Sequence, residues 1–141
     1  MVGTSRTIDA SAFAHERFIG LAANLTTDAD ARTVAGETIG RFGRIDALVH
    51  VAGGFAGGLP IHETGDDTWE AMMNLNARAA FHILRAVIPH MRNQRRGSIV
   101  AIGSRAAAEP AAHIAAYSYS ASEAALVSLV RTAALENRDK A

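Results

Sequence analysis

A serine and two tyrosines are the side chains of this 141-residue sequence whose types and spacing could carry acid–base chemistry. Ser104 follows a short apolar run, and Tyr117 and Tyr119 come soon after it, at the beginning of a longer apolar pattern. A tyrosine hydroxyl gives or takes a proton near neutral pH where its surroundings stabilise the phenolate. A serine hydroxyl beside it could hydrogen-bond the same ligand oxygen. Residue types alone leave a Ser/Tyr site and ordinary surface placement both open.

A glycine-rich segment is the second feature that could serve a ligand. Gly53, Gly54, Gly57 and Gly58 follow a predicted strand, where a backbone without side chains allows close approach. Their spacing matches neither the G-x-G-x-x-G pattern nor the P-loop pattern. A plain turn and a ligand-binding loop therefore both remain open.

Composition excludes several kinds of site and partner. The chain has no cysteine, and its six histidines, at positions 15, 50, 62, 82, 90 and 113, show no metal-ligand spacing, so we predict no metal site. With 14 basic and 14 acidic residues the net charge is zero, which argues against nucleic acid as a partner. Apolar runs fall short of the ~18 residues that a membrane span needs. We expect a cytoplasmic protein.

Strands and helices alternate in the order that the apolar pattern predicts. Short apolar runs predict buried strands at 18–23, 45–51 and 98–102. A helix should follow the capping residues Thr27 and Asp28 and end at Gly43, and longer helices should span 66–92 and 117–136. This alternation predicts an α/β fold with parallel strands, whose ligands bind at the carboxyl ends of the strands.

The two longer helices carry apolar residues at helical spacing, and Pro89 is expected to loosen the last turns of the first one. The predicted buried side of the 66–92 helix consists of Trp69, Met72, Met73, Phe81, Leu84, Val87, Ile88 and Met91. The predicted apolar stripe of the last helix consists of Leu126, Leu129, Val130 and Ala133.

Four segments together resemble the short-chain dehydrogenase/reductase family, over about residues 18–136. RIDALVHVAGGF resembles the family's strand that ends in Asn-Asn-Ala-Gly, with His50 to Gly53 in that position. WEAMMNLNARAAFHILRAVIPHM resembles its long helix, and GSIVAIGSRAA resembles the strand that presents its catalytic serine. YSASEAAL resembles its Tyr-x-x-x-Lys helix start. The resemblance rests on the order and spacing of all four segments, because each segment alone is only modestly similar to the family.

The resemblance implies a single domain, 1–141, with a partial Rossmann-type doubly wound parallel sheet. It implies an oxidoreductase that uses NAD or NADP on a small-molecule alcohol or carbonyl. Asn76, Ser104 and Tyr119 would handle the substrate oxygen and its proton, with Glu123 at the position of the family's lysine and Tyr117 as the alternative tyrosine. The residues that would line the cofactor are Asn24, Leu25, His50, Ala52, Gly53 and Ile102.

Departures from the family pattern predict impaired activity for this chain alone. Glu123 stands where the family has lysine, and the only lysine of the chain is Lys140. Asn24 lies at the position where the family has an aspartate, and His50 lies where the family has an asparagine. The family's first strand with its T-G-x-x-x-G-x-G turn, the second strand and the C-terminal strands are expected to have no counterpart. A shortened oxidoreductase, a non-catalytic pseudoenzyme or interaction module, and a gene fragment are the alternatives.

A homo-oligomer is the last expectation. A parallel sheet of three strands would have two open edges and little cover, and open edges favour association. In the family the two helices that correspond to 66–92 and 117–136 commonly pack against their copies in a partner subunit. We therefore expect these helices to form an interface in which Phe81 and Leu126 take part.

Overall fold

The structure is a computed structural model that describes residues 1–109 and 114–139. Its strands are β1 (Val2–Ser5), β2 (Ile19–Ala22), β3 (Ala47–His50) and β4 (Ser98–Ala101). Its helices are α1 (Asp28–Phe42), α2 (Asp66–Met72), α3 (Ala79–Gln94) and α4 (Tyr117–Glu136). Short 3₁₀ turns lie at Ala10–Ala12, Ile61–Glu63 and Arg105–Ala107. His113 and Lys140, named above, lie outside the described residues.

The four strands form two parallel pairs rather than one sheet of three strands. β1 pairs with β2, with Val2 opposite Ile19, and β3 pairs with β4, with His50 opposite Ala101. The expectation that no strand precedes the one at 18–23 is therefore wrong. The V-G-T-S sequence of β1 is short and half polar, so its apolar pattern is too weak to predict a strand, and its pairing with β2 holds it.

Helix α1 begins and ends at the residues that its capping signals predicted. The Thr27 side chain accepts a hydrogen bond from the backbone N–H of Asp30 at 3.2 Å, which caps the first turn. Gly43 adopts the left-handed conformation, with φ of 73°, and its N–H bonds to the carbonyl of Ile39. Both ends of this helix are thus fixed by local chemistry.

The long central helix contains an irregular stretch. Between α2 and α3, residues Met73–Arg78 form a π-helix, and the helix then continues through Pro89 to Gln94. The wider turn shifts the buried face, because each residue of a helix rotates the chain by about 100°. Trp69 and Phe81, predicted to be buried, are 45% and 43% exposed, which corrects that prediction. The buried residues of α3 are Ala79, Ala80, Ile83, Leu84, Val87 and Met91.

The main core lies where α1 packs against α3. It consists of Leu25, Ala31, Val34, Ala35, Ile45, Ala79, Ile83, Val87 and Met91. Gln94 ties the end of α3 to the segment before β3, because its side chain accepts from the N–H of Ile45 and donates to the carbonyl of the same residue. Leu126 is 2% exposed within this single chain, so it cannot serve as an interface residue, which corrects that expectation.

The strands β3 and β4 are covered on one face only. His50 is buried, whereas Val49, Val51, Val100 and Ile102 each expose half or more of their surface. The two strand segments predicted to be fully buried therefore have one bare apolar face. Within the described part of the chain, no helix has the length and apolarity needed to cross a membrane.

Candidate active site

The carboxyl ends of β3 and β4 lie side by side. The N–H of Ile102 donates to the carbonyl of His50 at 2.9 Å, immediately beyond the pairing of His50 with Ala101. The glycine-rich segment leaves from β3 at this edge, and Ser104 follows β4 at the same edge. The sheet thus brings the two predicted ligand-facing segments together.

Ser104 caps the short turn Arg105–Ala107. Its Oγ accepts a hydrogen bond from the N–H of Ala106 at 3.2 Å. A hydroxyl has one donor besides its acceptor lone pairs, so this bond leaves Ser104 able to donate to a ligand oxygen. Helix α4 packs against this turn, which sets the serine beside the beginning of that helix.

Glu123 is the most unusual group at this edge, because a carboxyl group is rarely buried without partners. It is 5% exposed, and its Oε2 has no hydrogen-bond partner. Burial raises the pKa of the Glu123 carboxyl, and the backbone N–H of Ser104 lowers it only in part. A Cβ at Gly103 would stand 3.5 Å from Oε2, so the strand end passes directly over the carboxyl group.

Tyr119 lies one helical turn before Glu123, and residues four apart share a helix face. Its ring packs edge to face against Phe55, with 4.9 Å between the ring centres, and the residue is partly buried. Tyr117 is 43% exposed and lines a shallow hollow with Gly57, Thr64 and neighbouring residues. That hollow includes none of Ser104, Tyr119 and Glu123, so it does not decide between the two tyrosines.

Asn76 is buried in the π-helical stretch, and both amide hydrogens and one lone pair of its Oδ1 are used within the protein. Its Oδ1 accepts from the N–H of Gly54 at 2.8 Å, and its Nδ2 donates to the carbonyl of Gly54 at 3.0 Å. Nδ2 also donates to the Oγ of Ser122 at 2.9 Å. Ser122, which donates in turn to the carbonyl of Tyr119, escaped the sequence analysis. A serine inside a helix gives no signal that its hydroxyl binds a distant amide.

The residues predicted to line a cofactor fall into two groups. His50, Ala52, Gly53 and Ile102 meet at the β3–β4 edge, where the last three are exposed. His50 is 4% exposed, its Nε2 has no partner, and burial lowers its pKa.

Asn24 and Leu25, the remaining two of that prediction, follow β2 instead. The Oδ1 of Asn24 accepts from the backbone and side chain of Thr26, so the side chain stabilises the turn before α1. The Leu25 side chain belongs to the core between α1 and α3. Neither side chain therefore lies at the β3–β4 edge with the other group.

Metal ligation has no support from the described residues, since no three histidine, aspartate or glutamate side chains among them come close enough to hold an ion. The polar side chains described at the β3–β4 edge carry hydroxyls, one amide, one buried carboxyl and the buried imidazole of His50. Hydroxyl and carboxyl groups of this kind hydrogen-bond an oxygen and move a proton.

Comparison with known proteins decides the family. The family model for short chain dehydrogenases matches residues 4–141. The chain belongs to the short-chain dehydrogenase family. It is 40% identical over 106 residues to the short chain dehydrogenase adrF of Penicillium rubens, a match that covers 75% of this chain and 42% of that protein. The family match includes part of β1, which the resemblance in sequence had left out.

Solved structures agree on the fold. The NADH-dependent reductase A1-R' complexed with NAD is 27% identical, with a TM-score of 0.79 over 87% of this chain and 53% of that one. ElxO with NADP bound is 23% identical, with a TM-score of 0.90 over 99% of this chain and 58% of that one. The predicted Rossmann-type α/β fold is confirmed. The short-chain dehydrogenase chain described here spans about half the length of the relatives that it matches.

Proposed function

We propose that this short-chain dehydrogenase chain carries the proton-transfer half of an NAD(P)-dependent oxidoreductase that acts on a small-molecule alcohol or carbonyl in the cytoplasm. The proposal is supported by the contact of the Ser104 backbone N–H with the Glu123 carboxyl just beyond β4, one helical turn along α4 from Tyr119. Edges of this kind, beyond the carboxyl ends of parallel strands, are where such folds bind their ligands.

In this proposal each side chain has a separate task. The Ser104 hydroxyl donates a hydrogen bond to the substrate oxygen, and the Tyr119 hydroxyl gives that oxygen a proton or takes one from it. Asn76 donates no hydrogen bond to substrate in this proposal, because both of its amide hydrogens bind Gly54 and Ser122. A bound nicotinamide would supply or accept the hydride.

The described residues fit part of a dinucleotide. Ala52, Gly53 and Ile102 offer exposed small or apolar surface at the edge, against which a flat ring can lie. The chain contains no T-G-x-x-x-G-x-G turn to surround the phosphates with backbone N–H groups. We therefore propose weak dinucleotide binding by these 141 residues alone.

Glu123 also favours a second candidate, a non-catalytic family member. A charge about 6 Å from a phenol is worth ~3 kcal/mol at an effective dielectric of ~20, so a carboxylate in place of an ammonium disfavours the phenolate by up to ~5 kcal/mol. Burial raises the pKa of Glu123, and protonation of its carboxyl would remove about half of that penalty without restoring the help of a positive charge. The chain would then persist as an interaction module.

Calorimetric titration of the purified chain with NADH and with NADPH tests the binding proposal. We expect no saturable heat at micromolar ligand, because the phosphate-binding turn is not part of the sequence. A micromolar dissociation constant would overturn weak binding and strengthen the enzyme over the non-catalytic candidate.

The residue roles are tested where turnover of a carbonyl or alcohol is found. Tyr119→Phe should abolish turnover, whereas Tyr117→Phe, the matched control, should leave most of it. Glu123→Lys should raise it. Equal rates in Tyr119→Phe and in the wild-type chain would mean that the proton is handled elsewhere.

A further inference from the structure

Ser122 is a fully buried hydroxyl that links two distant parts of the chain. It is 0% exposed, it accepts a hydrogen bond from Nδ2 of Asn76 at 2.9 Å, and it donates to the carbonyl of Tyr119 at 2.8 Å. Its single donor is therefore used within α4, and one of its lone pairs is used by a residue 46 positions away. The bond from Asn76 is buried, where hydrogen bonds are strongest, and the bond to the Tyr119 carbonyl is partly buried.

The link continues from Asn76 into the glycine-rich segment. The same amide binds both the N–H and the carbonyl of Gly54, so two hydrogen bonds fix the backbone of this residue against the π-helical stretch. A Cβ at Gly53 would stand 3.1 Å from Oδ1 of Asn76, so the absence of a side chain there permits the close approach. The segment beyond β3 and the first turn of α4 are thus joined through two side chains.

A purely local role would need only one of these bonds. Serines inside helices commonly donate to a carbonyl three or four residues earlier, and this alone does little more than bend the helix slightly. The bond from Asn76 is different, because it ties that helical turn to another element. Loss of the Ser122 hydroxyl would leave a buried N–H of Asn76 without an acceptor, so the neighbouring groups would have to move.

We propose that Ser122 is a positioning residue that fixes Tyr119 relative to the segment at Gly54. Its hydroxyl holds the backbone of the tyrosine itself, while Asn76 holds the segment on the other side of the site. The edge-to-face contact of Tyr119 with Phe55, which follows Gly54 directly, depends on this alignment. The consequence for turnover rests on the function proposed above, whereas the consequence for structure does not.

The test is an NMR comparison of Ser122→Ala with Ser128→Ala, an exposed serine on the same helix. In a Tyr117→Phe background Tyr119 is the only tyrosine, so its ring signals, displaced by the Phe55 ring, are read without overlap. We expect Ser122→Ala to move these signals toward those of free tyrosine and to speed hydrogen exchange of the Gly54 N–H about tenfold. Ser128→Ala should change neither. Unaltered ring signals with exchange within twofold of the wild-type rate in Ser122→Ala would overturn the proposal.

A measurement on the wild-type chain covers the case in which Ser122→Ala does not fold. Both Nδ2 protons of Asn76 should exchange at least tenfold more slowly than those of the exposed Asn93, and equal rates would overturn the proposal. Where turnover is found, Ser122→Ala should lower kcat several-fold with little change in KM. Changed ring signals in a chain without turnover would support the positioning role and count against the proposed function.

Discussion

Replacing Glu123 with glutamine should stabilise the chain at neutral pH. The carboxyl group is 5% exposed, and one of its oxygens has no partner. A buried polar group left in this state costs about 1–3 kcal/mol, and more when it is charged. Glutamine keeps the shape and the Ser104 contact and still buries one polar atom without a partner, but it cannot ionise, so only the added cost of the charge is removed. We expect the free energy of unfolding at pH 7 to rise by about 1.4 kcal/mol for each unit by which the folded pKa exceeds its ordinary value, and the melting temperature by about 3–4 °C for each kcal/mol.

The dependence on pH separates this effect from a simple change in packing. The pKa of Glu123 is raised in the folded state above the ordinary 4.5, so the folded chain holds this proton more tightly than the unfolded chain. The stability that the protonated Glu123 carboxyl contributes is fully present below pH 4.5 and is lost as the pH rises through the folded-state pKa. The loss proceeds at up to about 1.4 kcal/mol per pH unit. Glu123→Gln should lack this loss.

Urea unfolding followed by circular dichroism from pH 4.5 to 8 provides the assay. Glu37→Gln, on the exposed side of α1, is the matched control and should follow the wild-type curve. His50 has the opposite trend, since burial lowers its pKa and its contribution is lost as pH falls below its ordinary 6.5. That trend is common to all three chains and cancels in the difference. Parallel curves for Glu123→Gln and wild type would refute the reasoning.

Four further substitutions test the fold and the predicted oligomer. Gly57→Ala would place a Cβ 2.9 Å from the Cβ of Ala116 and should lower the free energy of unfolding in urea by about 1–3 kcal/mol. Gly36→Ala, which has open space around it inside α1, should raise that free energy by about 0.5–1 kcal/mol. Thr27→Ala removes the α1 cap and should cost about 1 kcal/mol, and an unchanged midpoint would contradict the capping role. Phe81→Asp, on the exposed side of α3, should dissociate the predicted homo-oligomer in sedimentation with its helical signal intact, and a monomeric wild-type chain would contradict the oligomer itself.

Features governed by nearby residues were predictable from the sequence. The bounds of α1 follow from Thr27 and Gly43, and the apolar pattern of α4 predicted the span at which that helix is observed. The placement of Ser104 followed from a general rule, because residues after a parallel strand gather at its carboxyl edge. For α1 and α4 the deciding interactions lie within a few positions of one another, whereas the placement of Ser104 also needs the parallel pairing of β3 with β4.

Features governed by distant contacts were not predictable in this way. β1 is stabilised by its pairing with β2. The exposure of Trp69 and Phe81 accompanies a π-helical stretch that no residue pattern predicted. Asn76 was expected to contact substrate. In the structure both of its amide hydrogens bind Gly54 and Ser122, a pair of contacts that the sequence did not predict. Hydrogen bonds between residues more than twenty positions apart leave no trace in local spacing.

The π-helical stretch also determines which insertions and deletions the chain can tolerate. Removing one residue between 73 and 78 would restore regular helical bonding there, which local energetics favour. It would also rotate everything after it by about 100°, so Ile83 and Val87 would turn away from α1. The core between α1 and α3 therefore requires the extra residue of the π-helical stretch. A chain shortened by one residue there would have a more regular helix but would lose the packing of that core.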